Sequence, residues 1–300
     1  MIPFVAMPPF EYGRVDAVSP LIQRVVASNP GPFTYTGTGA YIVGRPEAGA
    51  SVAVIDPGPD DADHMAALLA AVEGRRVTHV LVTHTHRDHA PLARPFAEAV
   101  RAPVLAARPP LRQTHASSPL DEDEDEAFAP DEVLAGGEVI EGDGWTLEAL
   151  ATPGHASNHL AFVLREEAAL FSGDHVMGWS TTVVAPPDGD MAAYMDSLES
   201  VIAREFTTLW PTHGGPITEP GPFLAAYRDH RLAREAQILA RVDAGVGRIA
   251  DMVPALYAAV DPRLWPAASL SVWAHLIALE KAGRVSAAPG PLIDAVWAPA

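Results

Sequence analysis

Cysteine is absent from all 300 residues of this chain. That absence excludes disulfide bonds, thiolate metal ligands, iron–sulfur clusters and cysteine nucleophiles. Any metal site must therefore be built from histidine and carboxylate side chains.

Basic residues are scarce as well, and Lys281 is the single lysine of the chain. Twenty basic side chains stand against 38 acidic ones, which gives a formal net charge of −18. A surface of this sign repels polyanions and weighs against a general nucleic-acid binder. The last 80 residues carry eight basic and seven acidic side chains, or +1, so the preceding part carries −19. Six consecutive acids at residues 121–126 indicate a solvated loop.

Long apolar runs are also missing, because no stretch reaches the length of a membrane span. Residues 1–12 lack the basic region and apolar run of a secretory signal. We therefore expect a cytoplasmic protein without a membrane partner. Hydrophobic residues make up 48% of the chain, enough to fill the core of one large domain and a smaller one.

Short apolar strand candidates alternate with helix candidates through the first two thirds of the chain, which predicts a layered α/β domain. The strand candidates are residues 40–43, 51–55, 77–82, 104–106, 139–150, 160–164, 168–171 and 208–210. Asp60 or Asp61 can cap a helix that runs to Gly74, and Asp190 can cap another that runs to Ala203. Prolines at 216, 220 and 222 mark a break, after which helical patterns dominate at 223–242, 249–259 and 270–282. We predict a catalytic domain over residues 1–220 and a small helical domain over residues 221–300.

The densest chemical signal is Thr83-His84-Thr85-His86-Arg87-Asp88-His89, which places four potential metal ligands within six consecutive positions. It follows the strand candidate at residues 77–82, and a helix is expected to begin near Ala90. In an extended segment His84 and His86 point the same way. Imidazole and carboxylate donors together suit Zn²⁺ or a similar divalent ion and favour a hydrolytic centre over a structural site.

Three later loops each offer one further ligand after a strand candidate and a tight turn. They are Thr152-Pro153-Gly154-His155, Ser172-Gly173-Asp174 and Pro211-Thr212-His213-Gly214-Gly215. One cluster at a strand end cannot complete a site for two metal ions, so we expect these loops to open on the same face of the sheet.

In this order the motifs resemble those of the metallo-β-lactamase superfamily, over residues 38–218. The resemblance implies an α/β fold of the αββα sandwich type and a ligand set of five histidines and two aspartates. The implied ligands are His84, His86 and His155 for one ion, Asp88, His89 and His213 for the other, and Asp174 as a bridge between both. Ile55-Asp56-Pro57-Gly58 matches the superfamily's first motif, in which the aspartate supports the ligand loop from outside the ligand set.

A hydrolytic mechanism follows from two cations that share one oxygen. Metal coordination can lower the pKa of water from about 15.7 to roughly 7, so the expected nucleophile is a bridging hydroxide and no side-chain nucleophile is needed. Asp88 or Asp174 is expected to orient or relay the proton, which makes these two the candidate catalytic residues. The expected cofactors are two divalent ions, foremost Zn²⁺, although the same donors accept Mn²⁺ or Fe²⁺.

A closer resemblance is to the beta-lactamase-like-2 group, which joins this hydrolase domain to a C-terminal winged-helix-like module. The matching segments are residues 29–34, 173–178 with 181–183, and 230–231 with 234–239. Residues 270–285 are interpreted as the third helix of that module leading into a short wing. The group includes a ribonuclease that cuts single-stranded RNA.

Three functional hypotheses remain open. The favoured one is a hydrolase of a small ester, thioester or lactone, because residues 152–157 resemble the corresponding loop of glyoxalase II and the acidic charge suits RNA poorly. The second is a metal-dependent endoribonuclease acting on single-stranded RNA. The third is a nucleic-acid-binding or dimerising adaptor, but residues 270–279 lack a concentrated basic face, so no DNA partner is expected. Closure over the active site, or assembly of a homo-oligomer, is the favoured role for the module.

Other polar and aromatic side chains near these motifs are given more ordinary interpretations. His159 and His175 either support the site or are simply buried polar residues. Structural roles are expected for His64, His79, His115, His230 and His275. Two roles are open for the residues after Asp174: they line a pocket above the metal ions, or they belong to the core. These residues are Met177, Trp179, Thr181 and Thr182. Solvated surface positions are expected for Arg231 and Arg234, with an anion clamp as the alternative.

Overall fold

Two β-sheets stack face to face in a computed structural model that describes residues 1–110 and 128–300. The first sheet holds seven strands in chain order, antiparallel from β1 to β4 and parallel from β4 to β7. Its strands are β1 (Val15–Ala17), β2 (Ile22–Val26), β3 (Gly39–Val43), β4 (Ser51–Ile55), β5 (Arg76–Leu81), β6 (Val104–Ala107) and β7 (Glu132–Leu134).

The second sheet has five strands in the order β12-β11-β10-β9-β8, antiparallel except for the parallel pair β11 and β12. Its strands are β8 (Val139–Gly142), β9 (Trp145–Ala151), β10 (Leu160–Leu164), β11 (Ala169–Gly173) and β12 (Thr208–Pro211). The single strand predicted at residues 139–150 is two strands of a hairpin, because Gly144 adopts φ +79 in the turn between them.

Helices cover the outer face of each sheet. Helices α1 (Ala62–Ala71) and α2 (Ala93–Val100) lie on the first sheet, and α3 (Met191–Ile202) and the start of α4 (Pro220–Asp243) lie on the second. The Asp61 side chain caps α1 and the Asp190 side chain caps α3, as predicted. Helix α2 begins three residues later than expected.

Large apolar side chains fill the space between the sheets, among them Tyr41, Phe162, Phe171 and Trp210. Alternate residues of each strand face this inner core, and the others face the helices. The four layers confirm the αββα sandwich predicted from the resemblance.

The C-terminal part is a small, mainly helical module with its own core. It contains the end of α4, helices α5 (Ile249–Leu256) and α6 (Trp265–Lys281), and a hairpin of β13 (Val285–Ala288) and β14 (Val296–Pro299). Helix α4 contributes Phe223 and Tyr227 to the core beside the second sheet and Ile238 and Val242 to the core of the module. The division between residues 220 and 221 stays a prediction.

Two expectations fall on residues that the structure does not describe, namely the solvated acidic loop at residues 121–126 and the structural role of His115. Across residues 1–110 and 128–300, no helix is both long and apolar enough to cross a membrane.

Candidate metal centre

Four loops bring the seven predicted ligands together at one edge of the sandwich. The loops follow β5, β9, β11 and β12, so each ligand stands just beyond the end of a buried strand. The donor atoms form three overlapping groups, each with its atoms within 4.8 Å of one another: His84, His86 and His155; His84, His89 and Asp174; Asp88, His89 and His213. The first and third groups are the two sets that the sequence predicted, and Asp174 lies between them.

Several donor atoms in this cluster are buried and have no hydrogen-bond partner in the described protein. They are the Nε2 atoms of His89, His155 and His213 and the Oδ1 atom of Asp174. Buried polar atoms without a partner are costly and rare in folded proteins. Four such atoms around one point fit a group of positive charge, as divalent ions would be.

The opposite nitrogen of each of these histidines is held by an acceptor. His89 Nδ1 lies 2.8 Å from a carboxylate oxygen of Asp56. His155 Nδ1 lies 2.6 Å from the carbonyl oxygen of residue 183, and His213 Nδ1 lies 3.2 Å from that of residue 37. Because carboxylate and carbonyl oxygens only accept, each Nδ1 carries the proton and each Nε2 presents a lone pair.

His84 and His86 are in direct contact within the cluster. His84 Nε2 lies 2.9 Å from His86 Nδ1, and the rings are 4.4 Å apart. His84 Nδ1 lies 3.0 Å from the Thr83 hydroxyl, which in turn donates to Asp56. That hydroxyl accepts a hydrogen bond from His84 Nδ1–H, so Nε2 carries no proton and has a lone pair for a ligand role.

The two carboxylates bridge between the imidazoles. Asp88 Oδ2 lies 3.0 Å from His213 Nε2 and 3.4 Å from His89 Nε2. Asp174 Oδ2 lies 3.5 Å from His213 Nε2 and 3.8 Å from His155 Nε2, while its Oδ1 lies 3.7 Å from His89 Nε2. Asp174 therefore reaches histidines of both predicted sets.

Charge and burial divide the cluster into two electrostatic halves. Burial lowers the pKa of His86 to about 3 and holds the pKa of His84 well below its ordinary value, and neighbouring imidazoles add to both effects. Burial also acts to lower the pKa of His89 and His213, but nearby carboxylates outweigh it and raise both. His84 and His86 therefore stay neutral near pH 7, whereas His89 and His213 tend to hold a proton.

Both carboxylates stay ionised in this setting. Burial acts to raise the pKa of Asp88 and of Asp174, yet the imidazoles beside them hold each pKa below its ordinary value. Asp88 is the more accessible of the two, with a side chain 24% exposed against 11% for Asp174. Asp88 is therefore the carboxylate that is more open to solvent.

Asp56 lies where the resemblance placed it, beneath the ligand loop. Besides contacting His89, its carboxylate accepts from the Thr83 amide and hydroxyl, both at 2.8 Å, and from the Thr212 hydroxyl at 3.1 Å. It is fully buried and adopts φ +49, in the left-handed region. One carboxylate thus ties together the loops that follow β4, β5 and β12.

His159 supports the site without facing the ligand atoms. Its Nε2 accepts from the Asp174 amide at 3.1 Å, and its Nδ1 lies 2.7 Å from the Thr152 hydroxyl. Both ring nitrogens are therefore engaged, and the ring fixes the turn of Asp174. His175 is also buried but belongs to none of the donor groups, and its ring packs 4.9 Å from that of Tyr194.

The proposed pocket residues divide into two kinds. Met177 and Thr182 are buried, and the Thr182 hydroxyl donates to the Asp174 carbonyl oxygen at 2.7 Å. Trp179 is half-buried and stacks on Tyr35, with ring centroids 4.8 Å apart and planes 10° from parallel. Nothing in the sequence around Tyr35 indicated this contact, because the two aromatic residues are far apart along the chain.

The expectation of a solvated Arg231 is wrong, because this side chain is only 4% exposed. It donates to the Thr182 carbonyl oxygen, 49 residues away along the chain. Arg234 is half-buried and donates to the Leu256 carbonyl oxygen at 2.6 Å. Their partners are carbonyl oxygens and aromatic rings, which local charge patterns do not reveal.

Comparison with protein-family models gives two matches. The metallo-beta-lactamase superfamily matches residues 37–213, which hold all seven predicted ligands. The beta-lactamase associated winged helix domain matches residues 249–291. The second match confirms the winged-helix interpretation of the C-terminal module.

Similar proteins and structures agree with these matches. The chain is 35% identical over 228 residues to an atrochrysone carboxyl ACP thioesterase from Aspergillus chevalieri, covering 75% of this chain and 67% of that protein. It is 30% identical over 232 residues to a beta-lactamase-like protein 2 homolog from Caenorhabditis elegans, covering 75% and 72%. A beta-lactamase domain protein from Burkholderia ambifaria has the same fold at 22% identity, with a TM-score of 0.79 over 100% of this chain and 97% of that one. The chain combines the sandwich fold, the histidine and aspartate cluster and the family match. It is therefore a hydrolase of the metallo-beta-lactamase superfamily, followed along the chain by a beta-lactamase-associated winged helix domain.

Proposed function

We propose that this chain is a binuclear metal-dependent hydrolase of a small thioester, ester or lactone, with a thioester as the foremost substrate class. The observation that carries the proposal is the set of buried, unpartnered Nε2 and carboxylate oxygen atoms that face one another at the sandwich edge. The choice of a thioester draws on the thioesterase relatives.

The proposed ligand set is the one that the sequence predicted. His84, His86 and His155 would hold one ion, Asp88, His89 and His213 the other, and Asp174 both. Zn²⁺ is the proposed metal because nitrogen and oxygen donors without sulfur suit a catalytic zinc site. When bound, two such ions supply Lewis acidity, which acidifies water to a pKa of roughly 7 and polarises a scissile carbonyl.

The carboxylates are the proposed catalytic residues of the chain itself. Asp88 stays ionised and is partly exposed, so its carboxylate can accept a proton from water at the centre and return it to the leaving thiolate or alkoxide. Asp174 is held by the His159 ring and the Thr182 hydroxyl and keeps its carboxylate between the two histidine sets. Asp56 keeps His89 in the tautomer that a ligand needs.

Aromatic and aliphatic side chains lie next to the loops of His213 and His155, which favours an apolar acyl group. The stacked pair of Tyr35 and Trp179 lies beside Gly214, where an added Cβ would be 3.1 Å from the indole ring. Gly214 follows the proposed ligand His213 directly. Phe33 and Val183 both pack against Ala267 and Leu270 of helix α6, and the Val183 carbonyl oxygen lies 2.6 Å from Nδ1 of the proposed ligand His155. Such walls with a few polar groups suit a small ligand.

The adaptor hypothesis gains no support from the winged helix domain. Helix α6, the expected recognition helix, buries nine of its 17 residues against the rest of the protein. A helix that enters the DNA groove needs an exposed basic face. The lone lysine of α6, Lys281, lies 2.7 Å from Asp190 in an ion pair across to the first domain.

The proposal is tested by turnover of a substrate panel with purified, metal-loaded protein. The panel holds an S-acyl thioester, an aryl ester, a lactone and single-stranded RNA. We expect thioester hydrolysis that His86→Ala abolishes and that His79→Ala, a change in a half-buried histidine outside the donor groups, leaves intact. RNA cleavage lost in His86→Ala, without turnover of the thioester, ester or lactone, would instead establish the endoribonuclease.

A further inference from the structure

Arg231 is a buried cation that pairs with no carboxylate among residues 1–110 and 128–300. Its guanidinium donates to the Thr182 carbonyl oxygen and lies over two aromatic rings, 4.9 Å from the Tyr194 centroid and 5.9 Å from the Tyr227 centroid. Burying a charge without a counter-ion is costly, and a carbonyl with aromatic faces offsets only part of that cost. Such a residue calls for a role beyond packing.

Several hydrogen bonds attach the segment that Arg231 holds to helix α4. Besides the Arg231 contact, the Tyr227 hydroxyl accepts from the Thr182 amide at 2.6 Å and donates to the Ser180 carbonyl oxygen at 3.1 Å. Both side chains come from the same face of the helix, one turn apart. Residues 180–182 are therefore fixed to α4 rather than free to move as a loop.

The same segment contacts two proposed ligands. The Thr182 hydroxyl donates to the Asp174 carbonyl oxygen at 2.7 Å, and the next residue, Val183, offers the carbonyl oxygen that lies 2.6 Å from His155 Nδ1. A shift of the Thr182 carbonyl would move the acceptor of His155 and release the backbone of Asp174. A continuous series of contacts therefore connects Arg231 with His155 and with Asp174.

We propose that Arg231, assisted by Tyr227, is a positioning residue that sets the orientation of His155 and Asp174 toward the metal ions. The proposal rests on the proposed metal centre. Neither side chain touches substrate or metal, and each acts through the backbone of residues 180–183. The winged helix domain is thereby linked to the metal centre, since α4 continues into the core of that domain.

Arg234 provides a matched control within the same helix. Like Arg231 it donates to a backbone carbonyl oxygen and lies over a tyrosine ring, in this case Leu256 and Tyr257, 4.1 Å from the centroid. Its contacts lead to helix α5 and not to any ligand. Removing either guanidinium therefore removes similar packing and one hydrogen bond, but only one of them is connected to the metal centre.

The test compares Arg231→Met, Arg234→Met and Arg231→Lys with the wild type. Zinc affinity is measured by competition with a chromophoric chelator, the visible spectrum is recorded with Co²⁺ in place of Zn²⁺, and melting temperatures are measured in the metal-free state. We expect Arg231→Met to weaken binding of at least one zinc equivalent about 10- to 100-fold and to alter the Co²⁺ spectrum, as loss of an outer contact does elsewhere. Arg234→Met should lower the melting temperature but keep zinc affinity within about threefold, and Arg231→Lys should recover part of the affinity because an ammonium can also donate to the Thr182 carbonyl.

Equal zinc affinity and spectra in folded Arg231→Met and wild type would overturn the proposal, as would an equal loss in Arg234→Met. If Arg231→Met does not fold, Tyr227→Phe decides, since it removes one hydroxyl at constant ring volume. Weakened zinc binding in Tyr227→Phe supports the proposal, and unchanged binding refutes it. A wild type that binds no zinc would instead refute the proposed metal centre.

Discussion

Asp56 shows how one residue can prepare several ligands at once. Its carboxylate accepts hydrogen bonds from Thr83 and Thr212 and fixes the tautomer of His89. The Thr83 hydroxyl in turn contacts His84 Nδ1 and fixes the tautomer of His84. Burial acts to lower the pKa of His89, and the charges of Asp88, Asp174 and, to a smaller extent, Asp56 raise it. The residue acts on the metal centre without being a ligand.

We expect Asp56→Asn to weaken zinc binding about 10- to 100-fold, because an amide removes the charge and offers only one acceptor oxygen. The measurement is chelator competition on the purified variant. Asp61→Asn, which alters only the cap of helix α1, is the control and should bind zinc like the wild type. Unchanged affinity in Asp56→Asn would contradict the role given to this residue.

The two halves of the ligand cluster should respond differently to pH. Carboxylates raise the pKa of His89 and His213, so protons compete with a metal there as the pH falls toward and below those raised values. Burial lowers the pKa of His84 and brings that of His86 to about 3, so protons do not compete at these two near neutral pH. We expect the metal equivalent beside His89 and His213 to be lost first as the pH is lowered, while the other persists, measured by elemental analysis after dialysis at a series of pH values. Simultaneous loss of both equivalents would contradict this division.

At the scale of elements, the ligand turns depend on close contact with the helices behind them. Gly154, just before His155, adopts φ +136, and an added Cβ would lie 2.3 Å from the Tyr194 Cα atom of helix α3. The tight fit explains the glycine, because any side chain would push the turn away from the helix.

Gly154→Ala is expected to destabilise the protein by about 3 kcal/mol or more, because backbone strain and overpacking add together. Gly74→Ala is the matched control, since Gly74 also has a positive φ of +75 but its nearest contact would be 3.9 Å away. It should cost only about 1 kcal/mol. Urea unfolding of the metal-free proteins measures both values, and equal losses would show that contact with α3 is unimportant.

The ligand loops were predictable because each carries its own local signal, a buried strand followed by a short turn and a ligand. The caps at Asp61 and Asp190 were predictable for the same reason. Strand β2 (Ile22–Val26) was missed, because its buried Gln23 and Arg24 break the apolar pattern and the Gln23 side chain finds its acceptor at Gly44. The burial of these polar side chains depends on hydrogen-bond partners that are distant in the sequence, and the same holds for Arg231.

At the scale of the whole molecule, helix α4 joins two cores. Its first turns bury Phe223, Leu224 and Tyr227 beside the second sheet, and its last turns bury Ile238 and Val242 in the winged helix domain. Although the helix begins at the predicted domain boundary, the two domains share it.

Truncated chains test whether both domains depend on helix α4. A chain ending at residue 220 would expose the surface that α4 covers, so we expect it to aggregate or to unfold at least about 10 °C below the full chain. A chain ending at residue 246 keeps the whole helix and should retain more of the stability. Calorimetry of the full chain should show one cooperative transition, and a stable, monomeric 1–220 fragment would contradict the importance of α4.

Elemental analysis of protein purified without chelator, under metal-replete conditions, tests the central claim most directly. The account predicts two divalent metal ions per chain in the wild type and their loss in Asp174→Ala, because Asp174 reaches histidines of both sets. A metal content near zero in the folded wild-type protein would contradict it.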